Sequence, residues 1–317
     1  MQSNAKKTTK KWKQVVVGAV ALVALVLAVL RLETKTSARA GDGQITFQSS
    51  AEAGTALFNA ATSGDEGKLE RILGGETKAI LSAGDRDSDK AAMQEFASKY
   101  EKMNRWVDMS DGSRMLYIGA DNFSFPVPLA KNSSGQWYFD GVAGAEEVRA
   151  RNIGRNELLA IDAFAAVATA QEMYFVGNGS EYAQHIISSQ GKQDGLYWPA
   201  SEHQGTSPLS SLSDFPKSSL RSLSPDETLV IDGYAFRMLM AQGDDAPGGS
   251  KDYVVNGRMT GGFAILATPI KYGETGIMTF MTNQDGAVYE TDFGPDTAKI
   301  AASIQEFNPT DDWSPVE

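Results

Sequence analysis

The chain opens on an abrupt polarity step: Lys6, Lys7, Lys10, Lys11 and Lys13 precede an unbroken apolar run from Val15 to Leu30. A run of this length is long for the apolar region of a cleavable signal and short for a spanning helix, which needs about 20 residues to cross about 30 Å of hydrocarbon. Two fates are therefore open. Ala38-Arg39-Ala40 offers the small-x-small pattern of a cleavage site, so the leader is either cut after Ala40 or kept as an inner-membrane anchor. In both cases the lysines stay on the cytoplasmic side and the chain from about residue 41 onward is exported.

Beyond the leader, apolar spacing first follows a helical period. Gln48 to Thr62 places Ala51, Ala53, Leu57, Phe58 and Ala61 near one face, and Ser63-Gly64-Asp65 stops and restarts the pattern. A short helix over Glu66–Leu73 and a third over about Asp89–Met103 follow, the last burying Met93, Phe96, Ala97 and Tyr100. The period then shifts to that of strands. Arg114–Gly119, Phe123–Leu129 and Gln136–Asp140 are aromatic-rich runs separated by hairpin-like turns at Ala120-Asp121-Asn122 and Asn132-Ser133-Ser134-Gly135. Helices followed by an antiparallel meander predict an α+β layer pair over residues 45–142.

The second half, residues 143–317, begins with a long helix from Ala145 to about Tyr174, with Leu158, Ile161, Ala165 and Ala168 spaced to bury one stripe. A loop-rich stretch from Ser188 to Asp226 precedes an antiparallel sheet with strands over Gly233–Met240, Gly262–Pro269, Gly276–Met281 and Ala287–Asp292. Asp285-Gly286 supplies the tight hairpin between the last two. A helix over Pro295–Phe307 closes the chain. The fold class is α+β throughout.

Composition restricts the function. The leader holds eight of the 29 Lys and Arg residues and one of the 40 Asp and Glu, which leaves 21 basic against 39 acidic residues, a formal charge of −18 on the exported body. Such a body repels nucleic acid and anionic lipid, so membrane contact is expected only through residues 15–30 if the leader is retained. The chain has no cysteine. Disulfides, thiolate nucleophiles and the lipidated cysteine of a bacterial lipoprotein are thereby excluded.

Gly154-Arg155-Asn156-Glu157, Ala160-Ile161, Ala170-Gln171-Glu172-Met173-Tyr174, Tyr182-Ala183 and Gly233-Tyr234-Ala235-Phe236, with the strands from Ala267 to Tyr289, resemble the exposed half of type IV pilin-like subunits. The resemblance implies a headgroup in which a long helix packs on an antiparallel sheet. Two pilin features are missing: the apolar segment does not run into the headgroup helix, and no glycine processing site precedes it. Residues 46–142 loosely resemble the cone-shaped nuclear-transport-factor-like domains, which implies a concave pocket. Over about residues 45–315, Trp137-Tyr138-Phe139-Asp140, Ile153-Gly154-Arg155-Asn156-Glu157, Asp194-Gly195-Leu196-Tyr197-Trp198-Pro199-Ala200 and Asp252-Tyr253-Val254-Val255-Asn256-Gly257-Arg258-Met259 resemble the exported bacterial family catalogued as domain of unknown function 2950. One departure is Asn152, where that family usually carries a second arginine after Arg151. The resemblance implies a fold and an address, and no reaction.

Catalytic and metal constellations do not emerge. His185 and His203 are the only histidines, neither in a zinc spacing, and there is no G-x-S-x-G elbow. His185 reads as a helix-end or surface residue. Asp85-Arg86-Asp87-Ser88-Asp89 opens like a calcium loop, but Lys90 and Phe96 stand where the turn glycine and the bidentate glutamate belong. A loop with an Asp N-cap is the simpler reading. No catalytic residue, metal ligand or cofactor is therefore assigned.

Two segments carry candidate binding or domain-docking residues. Arg155, Asn156 and Glu157 fall where the domains should join, and Asn256 and Arg258 flank a strand turn, so a charged contact between them would either cement the domains or recognise a ligand. Tyr197 and Trp198 form either an exposed aromatic platform or a loop anchored in the core. Together these features predict a non-enzymatic binding or scaffolding module of the bacterial envelope with an envelope protein as partner. The alternatives are a cofactor-free periplasmic hydrolase using carboxylates around Glu157 and an accessory factor of envelope assembly.

Overall fold

The computed structural model describes residues 41, 43–77, 86–200, 205–213, 215 and 228–316. The apolar run Val15–Leu30, the pattern Ala38–Ala40, Asp85, and residues 201–204, 214 and 216–226 of the loop-rich stretch, His203 among them, lie outside the described residues. The chain is α+β, and it forms two compact units that part between Arg151 and Asn152.

In the unit ending at Arg151, helix α1 (Ser50–Ser63) starts on Ser49, whose hydroxyl accepts the Glu52 amide at 3.1 Å while the Glu52 carboxylate accepts the Gln48 amide at 2.8 Å. This reciprocal cap satisfies donors that a helix start otherwise leaves open. Helix α2 (Glu66–Leu73) is capped by Asp65 in the same manner. Ala53, Leu57 and Ala60 of α1 and Leu69, Ile72 and Leu73 of α2 are buried together. Helix α3 (Arg86–Lys102) begins earlier than the spacing predicts, taking in Arg86, Asp87 and Ser88. Acidic Asp87 and Asp89 sit in its first turn, where the helix dipole favours them, so the calcium-like segment from Arg86 onward is helical. Its Tyr100 stacks on Phe58 at 5.2 Å and its Phe96 meets Phe125 at 5.4 Å.

The sheet of this unit runs β1 (Asn104–Asp108), β2 (Arg114–Ile118), β4 (Leu129–Lys131), β5 (Trp137–Phe139), with β3 (Phe123–Ser124) paired beside β2. Strand β1 is half-exposed and polar at both ends, so no alternating apolar pattern announces it. The single strand predicted over Phe123–Leu129 is two short strands, because Pro126 and Pro128 in the middle lack the N–H groups a ladder needs.

Helix α4 (Gly141–Gly177) begins in this unit, and its residues from Asn152 onward belong to the other. By length and composition it could cross a membrane, because all its charged residues except Glu172 lie at or before Asp162. Its apolar side chains are nevertheless used on a protein core: Ala160, Ile161, Phe164, Val167 and Ala170 are buried in one cluster with the sheet. The predicted stripe was rotated, since Leu158, Ala165 and Ala168 are only half-buried. The true stripe contains Glu157 and Gln171, which a count of apolar positions passes over.

That sheet has the order β17 (Ser314–Pro315), β16 (Val288–Thr291), β15 (Thr279–Asn283), β14 (Ala264–Pro269), β9 (Tyr234–Leu239), β8 (Leu229–Ile231), antiparallel throughout. Central strand β15 is buried at all five positions, and β9 buries Tyr234, Phe236 and Met238 in alternation. Phe236 meets Phe164 of α4 edge to face at 5.7 Å. Each such fully buried aromatic or aliphatic side chain contributes about 1.5–3 kcal/mol. His185 lies in strand β6 (His185–Ile187), paired in parallel with β7 (Gly195–Tyr197), and not on a helix end. Two short hairpins complete the strands: β10 (Ala241–Gln242) with β11 (Lys251–Asp252), and β12 (Val254–Val255) with β13 (Arg258–Met259). After α5 (Pro208–Ser211) and these strands, the closing helix α6 spans only Thr297–Ser303, with Pro295 held in a preceding single turn.

The β15–β16 turn tests the predicted hairpin directly. The Gly286 amide donates to Asn283 O at 3.0 Å with φ at 83°, and the Asn283 side chain accepts the Asp285 amide. An L side chain in this region costs about 1–2 kcal/mol, and a β-branched one more. Gly286→Val should lower stability by about 2 kcal/mol or more in thermal unfolding; an unchanged melting temperature would contradict the turn assignment.

Candidate functional site

The polar residues of α4 converge on the loop between β14 and β15. Asn156 donates through Nδ2 to Thr275 O at 2.9 Å, and one carboxylate oxygen of Glu157 accepts the amides of Ile277 at 2.9 Å and Met278 at 3.1 Å. Both side chains are buried, whereas Arg155 between Gly154 and Asn156 is exposed. A helix surface repeats every 3.6 residues, so Asn156 and Glu157 can face the same neighbouring loop while Arg155 turns away. Loop 270–278 is thus held by the helix through main-chain groups alone.

The sequence-predicted charged contact is made differently. Arg258 bonds Glu181 at 2.8 Å and reaches Gly179 O at 3.5 Å, not the Arg155–Glu157 segment. Its neighbour Asn256 forms, with Gly257, the tight turn between β12 and β13. Among the aromatic candidates, Trp198 is 8% exposed and donates from Nε1 to Gly205 O at 2.8 Å, which makes it an anchor for its loop. Tyr197 is half-buried against the same core. The bonds of Arg151 go to Glu147 and to the main-chain and side-chain oxygens of Ser124, so this guanidinium ties the helix start to β3.

Around Glu157 the sheet and its flanking loops bring groups that local sequence does not connect with it. The fully buried Tyr234 hydroxyl donates to Met278 O at 2.8 Å and lies against the Glu157 carboxylate. Glu290 on β16 and Asp292 beyond it add negative charge, and Tyr272 donates to Asp292 at 3.3 Å. Gly276 lets the loop pass over the Tyr234 ring: a Cβ there would stand 2.0 Å from its hydroxyl oxygen, closer than any side chain permits. These residues lie about 75 to 135 positions from Glu157 in the sequence, on strands whose pairing only the folded sheet defines. The one local signal was a carboxylate at a stripe position where the helical period calls for an apolar residue.

Electrostatics follow from this enclosure. Burial pushes the Glu157 carboxyl above its ordinary range, the Ile277 and Met278 amides pull it back, the charge of Asp292 raises it and the Tyr234 hydroxyl lowers it. Glu290 is raised by burial and then by Glu157. Burial, followed by the Glu157 charge, drives the Tyr234 phenol far above its usual value, so it remains a donor. Among the described residues, no ion pair supplies Glu157 or Glu290 with a cation, and no group of three or more His, Asp or Glu side chains could hold a metal ion. Two electrostatically coupled carboxylates are the raw material of acid–base chemistry. Here, however, Oε1 of Glu157 already accepts two amide protons and the side chain is buried.

A family model described as Protein of unknown function (DUF2950) matches residues 44–316. No curated protein and no solved structure matches the chain.

The raised Glu157 carboxyl sets a pH dependence. The native state holds this proton more tightly than the unfolded chain, so the corresponding stabilisation is complete below the ordinary carboxyl range and is lost as pH rises through the native value. Glutamine keeps an oxygen for the two amides and cannot ionise. Glu157→Gln should match the native chain in melting temperature near pH 4 and exceed it increasingly toward about pH 8. A native chain that is the more stable of the two at neutral pH would show that the ionised carboxylate is favoured in place.

Proposed function

The chain belongs to the DUF2950 family of proteins of unknown function, and we propose that it acts as a non-enzymatic binding or scaffolding module exported to the bacterial envelope. The observation that carries this reading is the commitment of the chemically capable side chains to internal bonds. Asn156 and Glu157 hold loop 270–278, Arg258 holds Glu181, and Trp198 holds Gly205. A hydrolase needs a carboxylate within hydrogen-bond reach of a substrate proton, and Glu157 is buried with its Oε1 engaged by the Ile277 and Met278 amides. The lysine-flanked apolar leader supports export, and the charge of −18 beyond it supports a role away from nucleic acid and anionic lipid.

Within this reading, the long helix on an antiparallel sheet is a pilin-type headgroup used as a recognition body and not as a fibre subunit. The leader serves either as a cut signal or as an anchor that keeps the body at the inner membrane. Recognition then belongs to the exposed surface, where Arg155, Val176 and Val255 project from the body. The raised, mutually repelling pair Glu157 and Glu290 is the specific feature that favours the rival reading, a cofactor-free periplasmic hydrolase.

Mild crosslinking in the native host, followed by mass spectrometry of the envelope fraction, separates the two. A reproducible envelope partner whose recovery is unaffected by Glu157→Gln is expected. Recovery of the protein alone, together with an ester- or amide-cleaving activity that Glu157→Gln abolishes, would replace the binding module with the hydrolase.

A further inference from the structure

The C-terminal segment builds a cleft that the proposed function leaves unassigned. Its cavity, of about 330 Å³, is floored by Met281 of β15 and Ile304 and walled by Trp313, with Gln305, Glu306 and Asn308 at the rim. That volume falls at the lower end of the range for small-molecule or side-chain sites, about 300–1,000 Å³.

Trp313 is fixed in place by three neighbours. Its amide donates to Thr310 O at 2.9 Å, its ring meets Phe293 edge to face at 5.6 Å, and the next residue, Ser314, pairs with Glu290 as β17. The rim is equally fixed: Asn308 accepts the Asp245 amide at 2.9 Å and donates to the Asp245 carboxylate at 3.0 Å. A side chain entering this cleft would not have to order the walls that receive it.

The rim offers open acceptors. Gln305 donates one amide proton to Ala302 O and leaves its oxygen open, and the Glu306 carboxylate is exposed. Asp245, bonded to Asn308, and Asp311 and Asp312, which directly precede Trp313 in the chain, are all exposed. The one guanidinium beneath, Arg237, is turned inward and donates to Ala301 O at 2.7 Å and to Ile304 O, closing the end of α6. Burial lowers its pKa, yet its bonds remain those of a helix cap. An indole face beside carboxylates and open acceptors suits a cation on an alkyl stem: the stem covers Met281 and Ile304, and the ammonium meets the Trp313 ring and the Glu306 carboxylate.

We propose that this cleft is a receptor for a primary alkylammonium group, presented as a lysine side chain by a peptide segment of a partner. The assignment rests on the binding-module reading, since it names what that module would grip. It is separable from it, because a module can bind its partner elsewhere on its surface.

The test uses the full chain with its indole nitrogens labelled with ¹⁵N and the Trp313 resonance assigned through Trp313→Phe. Three probes are titrated: a short glycine-flanked lysine peptide with blocked termini, the same peptide with norleucine in place of lysine, and 1,5-diaminopentane. A saturable shift of the Trp313 indole with the lysine peptide is expected, absent with norleucine and weakened by added salt. Glu306→Gln should weaken it about three- to fivefold, and Trp313→Ala, which removes the reporter and is therefore titrated with the lysine peptide by calorimetry beside the unaltered chain, should reduce affinity about tenfold. An equal or stronger response to the diamine would assign the cleft to free amines and overturn the peptide source. A response to norleucine equal to that of lysine, or none to any probe, would overturn the alkylammonium site altogether. An envelope partner still captured by crosslinking after Glu306→Gln and Trp313→Ala would leave the binding module standing and the cleft without this role.

Discussion

A helix can bury a stripe against a sheet only if each polar group on that stripe finds a partner, since an unpaired buried donor or acceptor costs about 1–3 kcal/mol. Helix α4 carries three such groups on its buried side. Asn156 and Glu157 meet Thr275, Ile277 and Met278, and further along Gln171 accepts the Ala183 amide and donates to the Ala183 carbonyl, both at 2.8 Å. Every one of these partners is a main-chain group of a connecting segment. The helix therefore does more than cover the sheet: it fixes the β14–β15 loop near one end of the contact and the approach to β6 near the other. Apolar burial through Phe164 and Val167 supplies much of the attraction, while the polar pegs set where along the sheet the helix stops.

The same pegs explain what the sequence disclosed and what it withheld. Helices α1 and α2 were legible to within two residues because Ser49, Asp65 and Gly64 are local signals, read by neighbours within one turn. Strands β9, β14, β15 and β16 were legible because burial repeats within each of them. The stripe of α4 was displaced because an apolar count treats Glu157 and Gln171 as surface residues, and their partners lie on other elements. Strand β1 escaped because its residues are held by pairing with β2, Arg105 opposite Tyr117 and Trp106 opposite Leu116, and pairing leaves no local period on an exposed edge. Pro126 and Pro128 were a visible warning against one long strand there. Membership of the family, by contrast, was readable from motifs, among them Gly154–Glu157, whose last two residues prove to be latch residues.

A similar division separates the candidate residues. Residue type drew attention to Arg155, Asn156, Glu157, Tyr197, Trp198, Asn256 and Arg258, but type alone does not say whether a polar group is spent. In Glu157 and Trp198 it is spent on main-chain atoms, and in Arg258 on a carboxylate. Trp313 drew no attention because it sits near the chain end without a motif. Its value comes from Phe293, Thr310 and the two-residue strand β17, none of which a reader of the sequence would join to it.

One strand connects the buried carboxylates with the surface cleft. The Glu290 side chain answers electrostatically to Glu157, while its position on β16 pairs with Ser314, the residue after Trp313. Two adjacent carboxylates in a poorly solvated site disfavour simultaneous ionisation, and the native chain can relieve that repulsion by holding a proton or by letting β16 move. The second route would loosen the short β17 pairing and with it the Trp313 wall. Tyr234 acts on the other side of the balance: its hydroxyl, tied to Met278 O beside Glu157, favours the ionised carboxylate and so opposes the uptake of a proton. The charge state of the buried carboxylates and the rigidity of the Trp313 wall are thus joined through one two-residue strand pairing.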